Sequence, residues 1–62
     1  MFLITKILES SRRLYWTGKL FSLIRGNAKK YFNHDSCEKE LRELQEKYSG
    51  DVLFKNLTIE SD

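Results

Sequence analysis

Proline is absent from this chain, glycine occurs three times and cysteine once. A single cysteine excludes a disulfide within the chain, so a staple of that kind cannot compensate for small size. Lack of proline and scarcity of glycine argue against a turn-rich β architecture and towards helix. No apolar run approaches the roughly 20 residues of a membrane-spanning helix. Lys6, Glu9, Arg12, Arg13 and Lys19 interrupt every such window. Missing, too, are internal repeats, low-complexity tracts, Gly/Ser linkers and a secretory signal pattern. With 62 residues, the expected organisation is one small domain spanning 1–62. A chain of this size buries only about 60% of its unfolded surface and is marginally stable alone.

Charge is unevenly distributed. Residues 1–34 carry seven Lys/Arg against Glu9 alone, whereas residues 35–62 carry eight acids against Lys39, Arg42, Lys47 and Lys55. The two halves can attract each other within a chain or between copies. A split of this kind also points to a polyanion as a candidate partner.

The hydrophobic pattern predicts a mainly α-helical hairpin. Ile7, Leu14, Phe21 and Ala28 recur every seven residues, flanked by Leu3, Ile4, Leu8, Tyr15 and Ile24. That period predicts a long basic helix over about 2–32, with Gly18 and Gly26-Asn27 as weak points. Residues 33–36 read as a turn with Asp35 or Ser36 as the cap, and Asp35 with Glu38 has capping-box spacing. A short acidic helix is expected over about 37–48, with Cys37, Leu41, Leu44 and Tyr48 along its apolar edge and Gly50 as its left-handed stop. Ile7, Leu14, Phe21, Leu41, Leu44 and Tyr48 would form the seam between the helices. An extended tail follows over 51–62. The alternative is a β-α-α-β chain with its ends paired, suggested by β-branched Ile4, Thr5 and Ile7 and by "LTIE". Against it, a helix starting near Ser11 would place Arg12 and Arg13 in its first turn, against the helix dipole.

On such a first helix, Trp16, Leu20 and Leu23 would point almost opposite to Ile7, Leu14 and Phe21. One short companion helix covers only one of these faces. The second face, rimmed by Arg12, Arg13 and Lys19, is therefore the candidate partner-binding site, for another protein or a second copy. The competing cover is the tail itself, which holds five apolar side chains.

Two further partners suit the composition. Arg12, Lys19, Lys29 and Lys30, interleaved with aromatic residues, suit phosphate contact and base stacking on nucleic acid, although no recognition motif accompanies them. A helix with basic and apolar sides also suits the surface of an anionic membrane. Residues 1–34 share the basic, serine-containing, acid-poor bias of a mitochondrial presequence, but their removal would leave too little chain for a core.

Chemistry at a site finds little support. His34, Asp35, Cys37 and Glu38 are possible ligands, yet one His and one Cys fall short of a structural zinc set, and the bland reading is a capped helix start. Cys37 at a helix N-terminus would gain reactivity from the dipole, but the neighbouring acids oppose a thiolate. No phosphate loop, nucleotide motif or carboxylate pair is present. The expectation is a non-enzymatic interaction or regulatory module with no metal, cofactor or small-molecule substrate, in a reducing, cytoplasmic setting.

Overall fold

The computed structural model describes residues 1–62. Its elements are β1 (Phe2–Ile7), β2 (Arg13–Trp16), β3 (Phe21–Ser22), a 3-10 turn (Arg25–Asn27), α1 (His34–Lys47), a second 3-10 turn (Val52–Phe54) and β4 (Leu57–Ser61). The strands form one antiparallel sheet in the order β3-β2-β1-β4. This is Greek-key order, with the single helix inside the long connection that returns β4 beside β1.

The helical hairpin is thus corrected to a mixed α/β fold. There is no long first helix: three strands and a 3-10 turn occupy residues 2–32. The β-α-α-β alternative named the pairing of the chain ends, but its first helix is likewise absent. The seven-residue spacing that suggested a helix runs across separate strands. Ile7 ends β1 and is 53% exposed, Leu14 and Phe21 are half-buried on β2 and β3, and Ala28 is buried in a loop.

What organises residues 2–16 is a period of two, as alternating sides of a strand require. Ile4 and Lys6 of β1, Leu14 and Trp16 of β2, and Leu57 and Ile59 of β4 share the face under α1, as their pairing shows. Leu3, Thr5, Arg13, Tyr15, Thr58 and Glu60 share the other. Lys6 belongs to the buried face because its stem covers apolar surface while its Nζ donates to the Lys55 carbonyl at 2.7 Å. Two tight turns permit the meander. Ser11, with φ 67°, closes β1 to β2. Between β2 and β3, Thr17 and Leu20 exchange hydrogen bonds around Gly18, whose φ of 103° favours glycine.

Beyond Thr5, β2 parts from β1 and the chain from Ala28 to Tyr31 fills the gap. Lys29 N–H donates to the Trp16 carbonyl, and Phe2 and Tyr31 exchange both backbone bonds. Then α1 begins, three residues earlier than expected. Its cap is Asn33, whose Oδ1 accepts from Ser36 N–H at 2.8 Å, so neither Asp35 nor Ser36 caps it. Gly50 does not take the left-handed stop position. Along α1, Cys37 and Leu44 are buried and Leu41 and Tyr48 half-buried, and this edge lies on β1 and β4. The core joins Ile4, Trp16, Tyr31, Cys37, Leu44, Phe54 and Leu57.

The opposite charges of the two halves meet within one chain. Glu60 accepts from Arg13 at 2.7 Å and from Arg25 at 2.8 Å. Asp62 accepts from Lys30 and, at 3.4 Å, from Arg25. These cations hold both carboxyls below their ordinary values of 4.5 and 3.8, with Arg25 the leading cause for Glu60 and Lys30 for Asp62. A carboxyl whose pKa is depressed by folding stabilises the fold fully above its ordinary value. That contribution is lost as pH falls through the folded value.

Two outcomes are expected. Ile4→Ala lowers the unfolding free energy by about 2–5 kcal/mol, whereas Ile7→Ala costs about 0.5 kcal/mol or less, as read from urea unfolding curves. A first helix with Ile7 in its seam and Ile4 flanking it would make Ile7→Ala at least as costly as Ile4→Ala. On acidification below about pH 4.5, the melting temperature falls, and Glu60→Gln flattens that dependence. High salt shrinks the difference, because the pairs are partly exposed.

Candidate functional site

After α1 the chain reverses sharply. Asp51 N–H donates to the Tyr48 carbonyl, and the Asp51 carboxylate accepts from Leu53 N–H at 2.9 Å, closing the second 3-10 turn. The reversal lays Phe54 on Tyr48, with rings stacked 4.2 Å apart. Phe54 also meets Trp16 at 5.6 Å and Phe21 at 5.2 Å, and Trp16 meets Phe21 at 5.2 Å. Such pairs add about 0.5–1.5 kcal/mol each beyond their buried area. Four aromatic rings from β2, β3, the C-cap of α1 and the 3-10 turn thus form one packed floor.

Above this floor lies a cleft of about 350 Å³ lined by Trp16, Lys19, Leu20, Phe21, Tyr48, Leu53 and Phe54. Its lips are apolar and open: Leu20 is 60% exposed and Leu53 45%. A second cleft of about 380 Å³ shares Trp16, Lys19 and Tyr48 and extends along α1 to Glu40, Glu43, Leu44 and Lys47. Lys19 belongs to both and forms no ion pair. Lys47 lies 5.3 Å from the Tyr48 ring centre. Gly18 sets the turn that presents Lys19 and Leu20, and a Cβ there would stand 3.3 Å from Lys29 Cδ.

Only part of the sequence-derived site converges here. Trp16, Leu20 and Lys19 meet at the cleft. Trp16 is its floor rather than an exposed anchor, being 4% exposed, and its Nε1 is buried without a partner. Leu23 is exposed in the segment after β3 and does not line the cleft. Arg12 is exposed in the β1–β2 turn, and Arg13 pairs with Glu60 on the opposite face of the sheet. A helical spacing of four and seven fails because these residues follow a hairpin. The sequence pattern places Phe21 and Tyr48 in the internal seam and Leu53 and Phe54 in the extended tail, whereas all four line the cleft. The apolar content of "DVLF" was the available signal for Leu53 and Phe54.

The basic set does not form one patch. Arg12 and Lys19 stand in turns at opposite ends of β2. Lys29 pairs with Glu40 at 3.3 Å and Lys30 pairs with Asp62. With no basic helix, the geometry assumed for nucleic acid and for a membrane surface is absent. No helix is long and apolar enough to cross a membrane.

Of the four potential ligands, only Cys37 stands apart. His34, Asp35 and Glu38 lie within 4.8 Å of one another on the exposed first turn of α1. Glu38 also pairs with Arg42 at 2.6 Å, and the His34 ring packs edge-on to Phe2. Cys37 points away into the core. Burial, with a smaller contribution from Glu40, pushes its thiol up to about 11. Burial is likewise the main reason the Tyr31 phenol is raised above its usual value, with Glu40 adding to it. The chain matches no protein-family model, no curated protein and no solved structure.

Cys37 therefore reports on folding. At about pH 8 the folded chain resists alkylation by iodoacetamide, and reaction becomes fast in denaturant. Rapid labelling of the native chain would contradict this burial.

Proposed function

We propose that this chain is a small protein-interaction module that receives an apolar side chain of a partner in the aromatic cleft. The observation that carries the reading is the pair of exposed lips, Leu20 and Leu53, above a floor already packed from four elements. Large apolar side chains held open around a preformed concave surface favour association, since their burial releases water without reorganising the receiver. Lys19, which lines the cleft and forms no ion pair, favours a carboxylate beside the anchor. The preferred partner segment thus carries a bulky apolar residue next to an acid. Nothing in this reading involves bond-making chemistry. A reducing intracellular setting is part of the same proposal and suits the lone buried thiol.

Selection from a displayed random-peptide library tests the specificity. Enriched peptides should share a Leu, Ile, Phe or Trp adjacent to Asp or Glu. Leu20→Asp and Leu53→Asp should each weaken their binding about tenfold or more. Both positions are exposed, so unfolding curves should change little. Enrichment of basic peptides, or binding indifferent to both substitutions, would overturn the proposal.

A further inference from the structure

β4 is an edge strand, and its free side has a definite hydrogen-bonding parity. Asp62 N–H donates to the Met1 carbonyl, and Phe2 exchanges both backbone bonds with Tyr31 on the far side of β1. With the register Phe2↔Ser61 through Lys6↔Leu57, Thr58, Glu60 and Asp62 therefore face β1. Leu57, Ile59 and Ser61 turn their N–H and C=O groups away from the sheet. No strand lies beyond them. The only side-chain contact on this row is a long one, 3.5 Å from Arg25 to the Ser61 carbonyl.

Edges of this sort are usually protected by proline, lysine, a bulge or a covering element. "LTIES" contains neither proline nor lysine, and its pairing with β1 is continuous without a bulge. Its one charge, Glu60, is already paired with Arg13 and Arg25.

We infer that β4 pairs antiparallel with β4 of a second copy, about a two-fold axis through Ile59, joining two sheets into one of eight strands. The outward groups at 57, 59 and 61 are symmetric about Ile59, so the strand is its own complement. Ile59 faces Ile59 of the other copy, and Leu57 faces Ser61, each pair exchanging two hydrogen bonds. On the face away from α1 Thr58 lies opposite Glu60, which avoids an acid facing an acid. Moving the axis to Glu60 would set two carboxylates side by side and lose a bonded pair, so the Ile59 register is preferred. On the other face the half-buried Ile59 side chains cover each other. The second copy adds burial to a domain with only 11 buried residues. This inference rests on the edge and is independent of the cleft.

The test is sedimentation equilibrium of the full chain from micromolar to millimolar concentration, beside a synthetic chain with an N-methyl group on Ile59. That methyl removes the central donor, which makes no bond within the fold, and leaves every side chain intact. The unmodified chain should sediment as a concentration-dependent dimer. Methylation should weaken it about tenfold or more, the loss expected for two hydrogen bonds, with an unchanged circular dichroism spectrum. Ser61→Pro, which removes another outward N–H at an edge position where proline is tolerated, should act in the same direction. A monomer throughout the range, or a dimer indifferent to both changes, would overturn the proposal.

Discussion

Burial of β1 between β2 and β4 is the constraint on which the rest depends. Leu3, Ile4 and Thr5 expose no surface, though they belong to different faces of the sheet. A strand buried on both faces must have its backbone paired on both edges. One edge is supplied by β2 and the Tyr31 segment, the other by β4, from the opposite end of the sequence. The connection between β2 and β4 must therefore cross the sheet. It does so as α1, whose Cys37–Leu44 edge fits over Ile4 and Leu57.

That crossing also creates the candidate site. Bringing the chain from the end of α1 back to the sheet requires a reversal within a few residues. The Asp51-capped turn achieves it and sets Phe54 between Tyr48 and Trp16. Trp16 is the last residue of β2, just before the Gly18 turn that carries Lys19 and Leu20. The cleft is a by-product of closing the sheet, and its lips are the side chains of two turns. Its floor is continuous with the core, which Trp16 and Phe54 join directly and against which Tyr48 packs. The free edge of β4 arises from the same topology: the last strand to join has nothing beyond it.

Some of this was legible in the residues. The acidic helix was, because "CEKELRELQEKY" has a thin apolar edge and Glu38–Arg42 spacing, and Cys37, Leu44 and the half-buried Leu41 and Tyr48 face the sheet as that pattern requires. The strand character of "LTIE" was visible in its side-chain types. Of the first 32 residues, only the pairing of the chain ends was, through the β-branched Ile4, Thr5 and Ile7; the rest is hidden because two periodicities coexist there. Ile7, Leu14, Phe21 and Ala28 lie seven apart by the accident of hairpin lengths. The true period of two is masked where Lys6 occupies an inward position and Leu3 lies on the face away from α1, beside Glu60. Arg12 and Arg13 weighed against strands only on the premise that a helix started near Ser11, and no helix starts there. At the site, Trp16, Leu20 and Lys19 come together through the β2–β3 turn and not through the helical spacing that groups them in the sequence. Phe54 and Leu53 depended on a turn geometry that composition alone does not specify. Asn33 as the cap was obscured by the equally suitable Asp35 and Ser36.

The central claim is that residues 2–32 form strands around a buried β1 closed by β4. Backbone NMR of the labelled chain tests it most directly, through secondary chemical shifts over 2–32 and cross-strand contacts from β1 to β4. The account predicts extended shifts at Phe2–Ile7 and Arg13–Trp16 and Hα contacts linking Ile4 with Ile59 across the sheet. Continuous helical shifts from Phe2 to Phe32, with no contact between the chain ends, would contradict it.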